Sequence, residues 1–143
     1  MNEIRRATDD RTRAYYAETL PNPKLTVFPI AEVAAIGRSF GIPLVMDNTA
    51  APILARPFAH GAAVVVYSTT KYLAIGCLIV DGGNFDWAAH ATRQPALSTP
   101  DPSYYGAVWT ERLSRSCRSP ISSRPVSRFC EISAPRYRRS MRF

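Results

Sequence analysis

The stretch Ile42-Pro43-Leu44-Val45-Met46, followed at once by Asp47-Asn48-Thr49, decides the fold class. A short continuous apolar run is typical of a strand buried in a parallel sheet, and the polar residues after it then lie at the carboxyl end of that strand. A second run, Ala62–Tyr67, ends in the same way at Ser68-Thr69-Thr70-Lys71. The two runs predict parallel strands with polar residues at one common edge of the sheet.

The segments around these runs alternate between helix and strand patterns. Apolar residues recur at three- and four-residue spacing between Pro29 and Gly41, which predicts one amphipathic helix. A strand is expected within residues 13–18 before this helix, and another at Cys77–Val80 after the second apolar run. This order predicts an α/β fold with a mostly parallel sheet, and the chain length allows one hydrophobic core at most.

The net charge of +7 averages two different stretches of the chain. Residues 1–111 carry seven Arg and two Lys against ten acidic residues, a net charge of −1, whereas residues 112–143 carry nine Arg and one Glu, a net charge of +8. The second stretch also holds eight Ser and shows no regular apolar spacing. We therefore predict one domain at residues 1–111 and a disordered Arg/Ser-rich tail at residues 112–143.

Composition also limits the classes of protein to consider. The three Cys residues form no Cys-x-x-Cys pair and are odd in number, which favours a reducing compartment. The two His residues stand apart in the sequence, so no metal site is expected. The first ten residues are polar, and no apolar run approaches the roughly 18 residues that a membrane span requires. These features predict a soluble, cytoplasmic protein without a metal ion.

Lys71 and Asp47 follow the two predicted strands at the edge where open α/β sheets bind ligands. A site for pyridoxal 5'-phosphate (PLP) requires an amine that can bond to an aldehyde, hydroxyls that can bind phosphate, and an acid that can keep a pyridine nitrogen protonated. Position alone does not exclude purely structural roles for these two residues. A strand-end Asp is more often a turn or cap residue, and a strand-end Lys is usually just solvated.

Several motifs, taken in order, resemble the Cys/Met-metabolism (transsulfuration) family of PLP-dependent enzymes. They are Glu18-Thr19-Leu20-Pro21-Asn22-Pro23, residues 42–49, Arg56-Pro57 with His60-Gly61-Ala62, and Tyr67-Ser68-Thr69-Thr70-Lys71-Tyr72-Leu73. Within the family, residues 79–87 and 100–104 look most like the O-acetylhomoserine sulfhydrylase branch. The resemblance covers residues 11–111 and implies a partial large domain of fold-type I, the aspartate aminotransferase-like fold.

The resemblance also implies roles for particular residues. Lys71 would hold the cofactor covalently and later move the substrate's α-proton. Asp47 would pair with the pyridine nitrogen, and Asn22 would lie beside the 3-oxygen of the ring. Ser68 and Thr70 would contact the phosphate. The reaction implied is γ-replacement, in which sulfide or a thiol displaces acetate from O-acetylhomoserine to give homocysteine or a thioether, and the family implies a homo-oligomer.

The sequence departs from the family's usual pattern in three places. Family members carry upstream elements, including a phosphate-binding glycine element, that would precede Met1. The glycine-rich loop after Lys71 is shorter by about five residues, and Cys77 stands where glycine is usual, so we expect a displaced lysine or a shortened following strand. The third departure is the tail. We therefore expect an internal piece of such an enzyme that is inactive on its own, the product of a decayed or misread gene.

The tail has an interpretation in the genetic code. One permitted choice of codons for Cys130–Phe143, read from the third base, encodes R-D-L-G-A-A-L-S-P-F-N-A-F, which resembles the family's sequence downstream of the Tyr104 motif. This indicates a frameshift near Glu111 or Arg112. The alternative from a different class is a basic tail that binds nucleic acid or another polyanion through phosphate contacts, but the tail shows no known nucleic-acid module and few aromatic residues.

The DNA sequence of the locus tests the frameshift. We expect the shifted frame downstream of codon 112 to encode that family-like text without a stop codon. Independent resequencing distinguishes a frameshift that is present in the genome from an error in determining the DNA sequence. A shifted frame that encodes unrelated sequence would contradict the hypothesis.

Overall fold

The computed structural model describes residues 1–72 and 75–114, with only the backbone of 112–114. Four strands form one sheet in the order β1, Tyr15–Glu18, β2, Leu44–Asp47, β3, Val64–Tyr67, and β4, Leu78–Asp81. β1, β2 and β3 are parallel to one another, whereas β4 is antiparallel to β3. The predicted α/β fold with a mostly parallel sheet is confirmed.

Four α-helices accompany the sheet: α1, Asn2–Ala7, α2, Ile30–Ser39, α3, Pro95–Ser98, and α4, Trp109–Ser114. α2 begins directly after Pro29 and ends before Gly41, as its apolar spacing predicts. None of the helices in the described ranges combines the length and the apolar character that crossing a membrane would require. α4 reaches three residues past the predicted domain boundary, and residues 115–143 of the predicted tail lie outside the described residues.

The core occupies both faces of the central strands. On one face, Met46 and Val65 are fully buried against Val33 of α2. On the other face, Val64 packs with Trp87. Because successive side chains of a strand point to opposite faces, two covered faces favour apolar residues at successive positions, which is why β2 and β3 are continuous apolar runs up to their carboxyl ends.

The parallel register brings the carboxyl ends of three strands to one edge. Glu18, the last residue of β1, pairs with Asp47, the last residue of β2, and Asp47 pairs with Val66 near the end of β3. The loops that leave these strands therefore begin side by side. The polar residues predicted to meet at this edge do so because of this register.

A buried amide links the strand ends. Asn48 is fully buried, and its Oδ1 accepts a hydrogen bond of 2.9 Å from the Thr19 hydroxyl. Its Nδ2 lies within donating distance of the Ala55 carbonyl, at 3.3 Å, and of the Tyr67 hydroxyl, at 3.4 Å. Its backbone N–H donates to the Val66 carbonyl at 3.0 Å. Asn48 thus joins the ends of β1 and β3 to the loop that follows β2.

We expect Asn48→Ala to lower the free energy of unfolding by about 1–3 kcal/mol, because it removes the hydrogen bonds of a fully buried amide to Thr19, Ala55 and Tyr67. Urea unfolding followed by circular dichroism measures the change. Asn2→Ala, at an exposed position of α1, is the control and should alter stability by no more than about 0.5 kcal/mol. Equal losses in the two variants would contradict the linking role of Asn48.

Candidate cofactor site

A cavity of about 450 Å³ lies at the carboxyl ends of β1, β2 and β3. It is open to solvent and is built from strand-end residues and the loops that follow them. Its lining consists of Glu18, Leu20, Asn22, Asp47, Thr49, Ala50, Ser68, Lys71 and Tyr72. Four of the five residues predicted for the site, Asn22, Asp47, Ser68 and Lys71, therefore line one cavity.

Lys71 is the last residue of a short 3₁₀ turn, Thr69–Lys71, that follows β3. Its backbone N–H donates to the Ser68 carbonyl at 3.1 Å, which closes the turn and brings the side chain to the cavity. Among the described residues, no carboxylate forms a salt bridge with Lys71. The displacement expected from the shortened loop stays a prediction, because residues 73–74 of that loop lie outside the described residues.

Ser68 and Thr70 form a pair of hydroxyls beside Lys71. Their Oγ and Oγ1 atoms are 2.9 Å apart and hydrogen-bonded to each other. The backbone N–H of Ser68 donates to the Thr49 hydroxyl at 2.8 Å, which joins this turn to the loop after β2. Ser68 lines the cavity. Thr70 is exposed and does not line it, but its hydroxyl is hydrogen-bonded to that of Ser68.

The Asp47 carboxylate is held by donors on both of its oxygens. Oδ1 accepts from the backbone N–H of Thr49 at 2.9 Å and from the Thr49 hydroxyl. Oδ2 accepts from the Tyr16 hydroxyl at 3.0 Å. Partial burial, the hydrogen bond to Asp47, and the negative charges of Asp47 and Glu18 together raise the pKa of Tyr16 to about 12.

Asn22 and Glu18 form the β1 side of the cavity. The backbone N–H of Asn22 donates to Oε2 of Glu18 at 3.4 Å, so the loop folds back toward the end of its own strand. Both residues are exposed and line the cavity opposite the turn that carries Lys71. The side-chain amide of Asn22 is therefore available to a ligand in the cavity.

Sequence reasoning assigned no role to Thr49, Tyr16 or Glu18. Thr49 carried a usable signal, because an Asp followed two residues later by a backbone donor is a common side-chain turn. Tyr16 and Glu18 could have been placed on one face of β1 by strand alternation. The contact between Tyr16 and Asp47, however, depends on the register between two strands, which the sequence does not state.

The polar groups around the cavity fit PLP chemically. They comprise an amine for an aldehyde, a carboxylate for a protonated pyridine nitrogen, a pair of hydroxyls for a phosphate and a primary amide for a ring oxygen. A second carboxylate, that of Glu18, also lines the cavity. Within residues 1–72 and 75–114, no group of three or more His, Cys, Asp or Glu side chains is arranged to hold a metal ion.

The family is shown by sequence comparison. Residues 1–99 match the model of the Cys/Met metabolism PLP-dependent enzymes, and the chain belongs to this family. The predicted family is therefore confirmed, and PLP is the cofactor that the family uses.

Particular relatives support the sulfhydrylase branch. The chain is 46% identical over 114 residues to an O-acetyl-L-homoserine sulfhydrylase of Leptospira meyeri, covering 76% of this chain and 25% of that protein. It is 38% identical over 117 residues to a homocysteine synthase of Schizosaccharomyces pombe, covering 77% and 27%. The predicted likeness to O-acetylhomoserine sulfhydrylases is confirmed. The chain spans about a quarter of the length of the curated relatives it matches.

A solved structure agrees with these relatives. It is a Campylobacter jejuni protein described as an O-acetylhomoserine (thiol)-lyase, crystallised with a pyridoxyl-lysine phosphate. The two chains are 28% identical and superpose with a TM-score of 0.66 over 80% of this chain and 32% of that one. The fold-type I architecture implied by the resemblance is thereby confirmed for the part of the fold that this chain spans.

Proposed function

We propose that this chain is the cofactor-binding portion of a PLP-dependent sulfur amino acid enzyme. The full-length enzyme would replace the γ-acetoxy group of O-acetylhomoserine with sulfide or a thiol, giving homocysteine or a related thioether. One observation carries the proposal: an amine, a carboxylate and a hydroxyl, from Lys71, Asp47 and Ser68, line a single cavity at the ends of parallel strands. The names of the relatives supply the substrate class.

Different residues of the chain would contact different parts of PLP. Lys71 would bond through Nζ to the aldehyde carbon of PLP, with the aldehyde oxygen leaving as water. The hydroxyls of Ser68 and Thr70 would turn from each other to donate to the phosphate. The Asn22 amide would donate to the 3-oxygen of the ring. These groups approach from the loop after β1 and from the turn after β3, so the cofactor would be held from two sides of the cavity.

Proton positions are the chemical contribution of Asp47 and Lys71. When bound, PLP supplies a protonated ring that accepts the electron pair left at the substrate's α-carbon. The Asp47 carboxylate would hold the proton on the ring nitrogen, since an anionic acceptor there favours the protonated ring. The Nζ amine of Lys71 would accept the substrate's α-proton and return it during γ-replacement.

We propose that the chain binds its cofactor without turning substrate over. The glycine-rich loop after Lys71 is short, and the family match ends at residue 99, before the basic tail begins. Residues 112–143 would be an out-of-frame translation, and the polypeptide the inactive product of a decayed or misread gene. Polyanion binding by the tail is the weaker alternative, because charge alone supports it.

We further propose the substrates, the location and the assembly of the full-length enzyme. Its small-molecule substrates would be an acyl-homoserine with sulfide or a thiol, and it would act in the cytoplasm as a homo-oligomer. Three scattered Cys residues are consistent with a reducing compartment. Cys77, the cysteine within the described residues, is exposed.

Reductive labelling tests cofactor binding. We expect purified chain mixed with PLP and reduced with borohydride to carry one pyridoxyl group on Lys71, located by peptide mass spectrometry. The sequence contains two lysines, so exposed Lys24 is an internal control for non-selective reaction. Lys71→Arg should remove the label, whereas Lys24→Arg should leave it.

Two further results would decide against the proposal. Equal labelling of Lys24 and Lys71 would show that PLP reacts with exposed amines without a site. Unchanged labelling of Lys71 in an Asp47→Ala and Ser68→Ala double variant would show that the residues around the cavity do not hold the cofactor.

A further inference from the structure

Tyr16 contacts the site from outside the cavity. Its hydroxyl lies 3.0 Å from Oδ2 of Asp47, yet Tyr16 is not among the described residues that line the cavity. In the register of β1 with β2, Tyr16 pairs with Val45, two residues before Asp47. Because side chains two residues apart lie on one face of a sheet, Tyr16 reaches Asp47 diagonally across that face.

The acceptor capacity of Asp47 is almost filled. A carboxylate offers about four lone-pair sites, two on each oxygen. Thr49 occupies both sites of Oδ1 with its N–H and O–H, and Tyr16 occupies one site of Oδ2. One site on Oδ2 therefore remains for a ligand. Since both oxygens accept hydrogen bonds, the carboxylate cannot rotate without breaking at least one of them.

The hydrogen bond of Tyr16 is not required for packing of the core. Tyr16 is 62% exposed and belongs to neither hydrophobic cluster. Its neighbour Tyr15 is different: it packs against the core beneath α2, and its hydroxyl lies 2.6 Å from that of Thr8. An exposed phenol could be satisfied by water, so its direction toward Asp47 indicates a role at the site.

We propose that Tyr16 is a positioning residue, which orients the Asp47 carboxylate so that its one open lone pair faces the protonated nitrogen of the cofactor ring. The inference rests on the proposed function, because that nitrogen is the ligand. Thr49 fixes Oδ1 within the loop, and Tyr16 fixes Oδ2 from the adjacent strand. With phenylalanine at position 16, Oδ2 has a second open site and the carboxylate is held on one side only.

The first measurement needs no cofactor. Chain labelled with ¹³Cζ-tyrosine is titrated by NMR, and Tyr16→Phe assigns the Tyr16 resonance. The charged groups that act on Tyr16 are Asp47 and Glu18. We expect Tyr16 to stay protonated at pH 11, in keeping with a pKa of about 12. Asp47→Asn should lower the pKa of Tyr16.

The second measurement is the PLP concentration that gives half-maximal borohydride labelling of Lys71. We expect Tyr16→Phe to raise it about 3- to 10-fold, the equivalent of one net hydrogen bond. Tyr15→Phe is the matched control, because it removes a hydrogen-bonded phenol from the opposite face of the same strand. It should leave that concentration within about twofold of wild type.

The outcomes separate the two claims. Equal labelling curves for wild type and Tyr16→Phe, or equal losses in Tyr16→Phe and Tyr15→Phe, would overturn the positioning role while the proposed function stood. A Tyr16 pKa that does not respond to Asp47→Asn would also overturn it. Absence of Lys71 labelling in the wild type would overturn the proposed function itself, and with it this use of Tyr16.

Discussion

The hydrogen bonds of the buried Asn48 amide are the constraint on which the site depends. They join the end of β1 through Thr19, the end of β3 through Tyr67 and the following loop through Ala55. Successive side chains of an extended chain point to opposite sides, so an anchored Asn48 directs the preceding Asp47 away from the buried amide and toward the cavity. The buried amide thus links the strand ends and directs the Asp47 side chain toward the cavity, where Thr49 and Tyr16 hold its carboxylate.

The cavity residues come from separate loops on one rigid frame. Asn22 follows β1, Asp47 ends β2, and the turn with Ser68 and Lys71 follows β3. The positions at which these loops begin are fixed by the parallel strands beneath them, independently of the conformation of each loop. Under the proposed function, cofactor binding would require this edge of the sheet, whereas substrate turnover would also require parts of the enzyme beyond the quarter that this chain spans.

Much of the fold could be predicted because its signals are local. β2 and β3 are continuous apolar runs up to their carboxyl ends because both faces are covered, and α2 shows a helical spacing between Pro29 and Gly41. The direction of β4 could not be predicted, since an apolar run has no direction and the antiparallel pairing with β3 is a tertiary property. Likewise, the convergence of Asp47 and Lys71 follows from the strand-end rule, whereas the diagonal contact of Tyr16 depends on register.

The central claim is that the carboxyl ends of the three parallel strands form a PLP site. A crystal structure of the chain after incubation with PLP and reduction tests it most directly. The account predicts electron density continuous with Nζ of Lys71, the ring nitrogen within hydrogen-bonding distance of Oδ2 of Asp47, and the phosphate against Ser68 and Thr70. Cofactor bound to Lys71 with its ring nitrogen turned away from Asp47, or density on Lys24 instead, would contradict it.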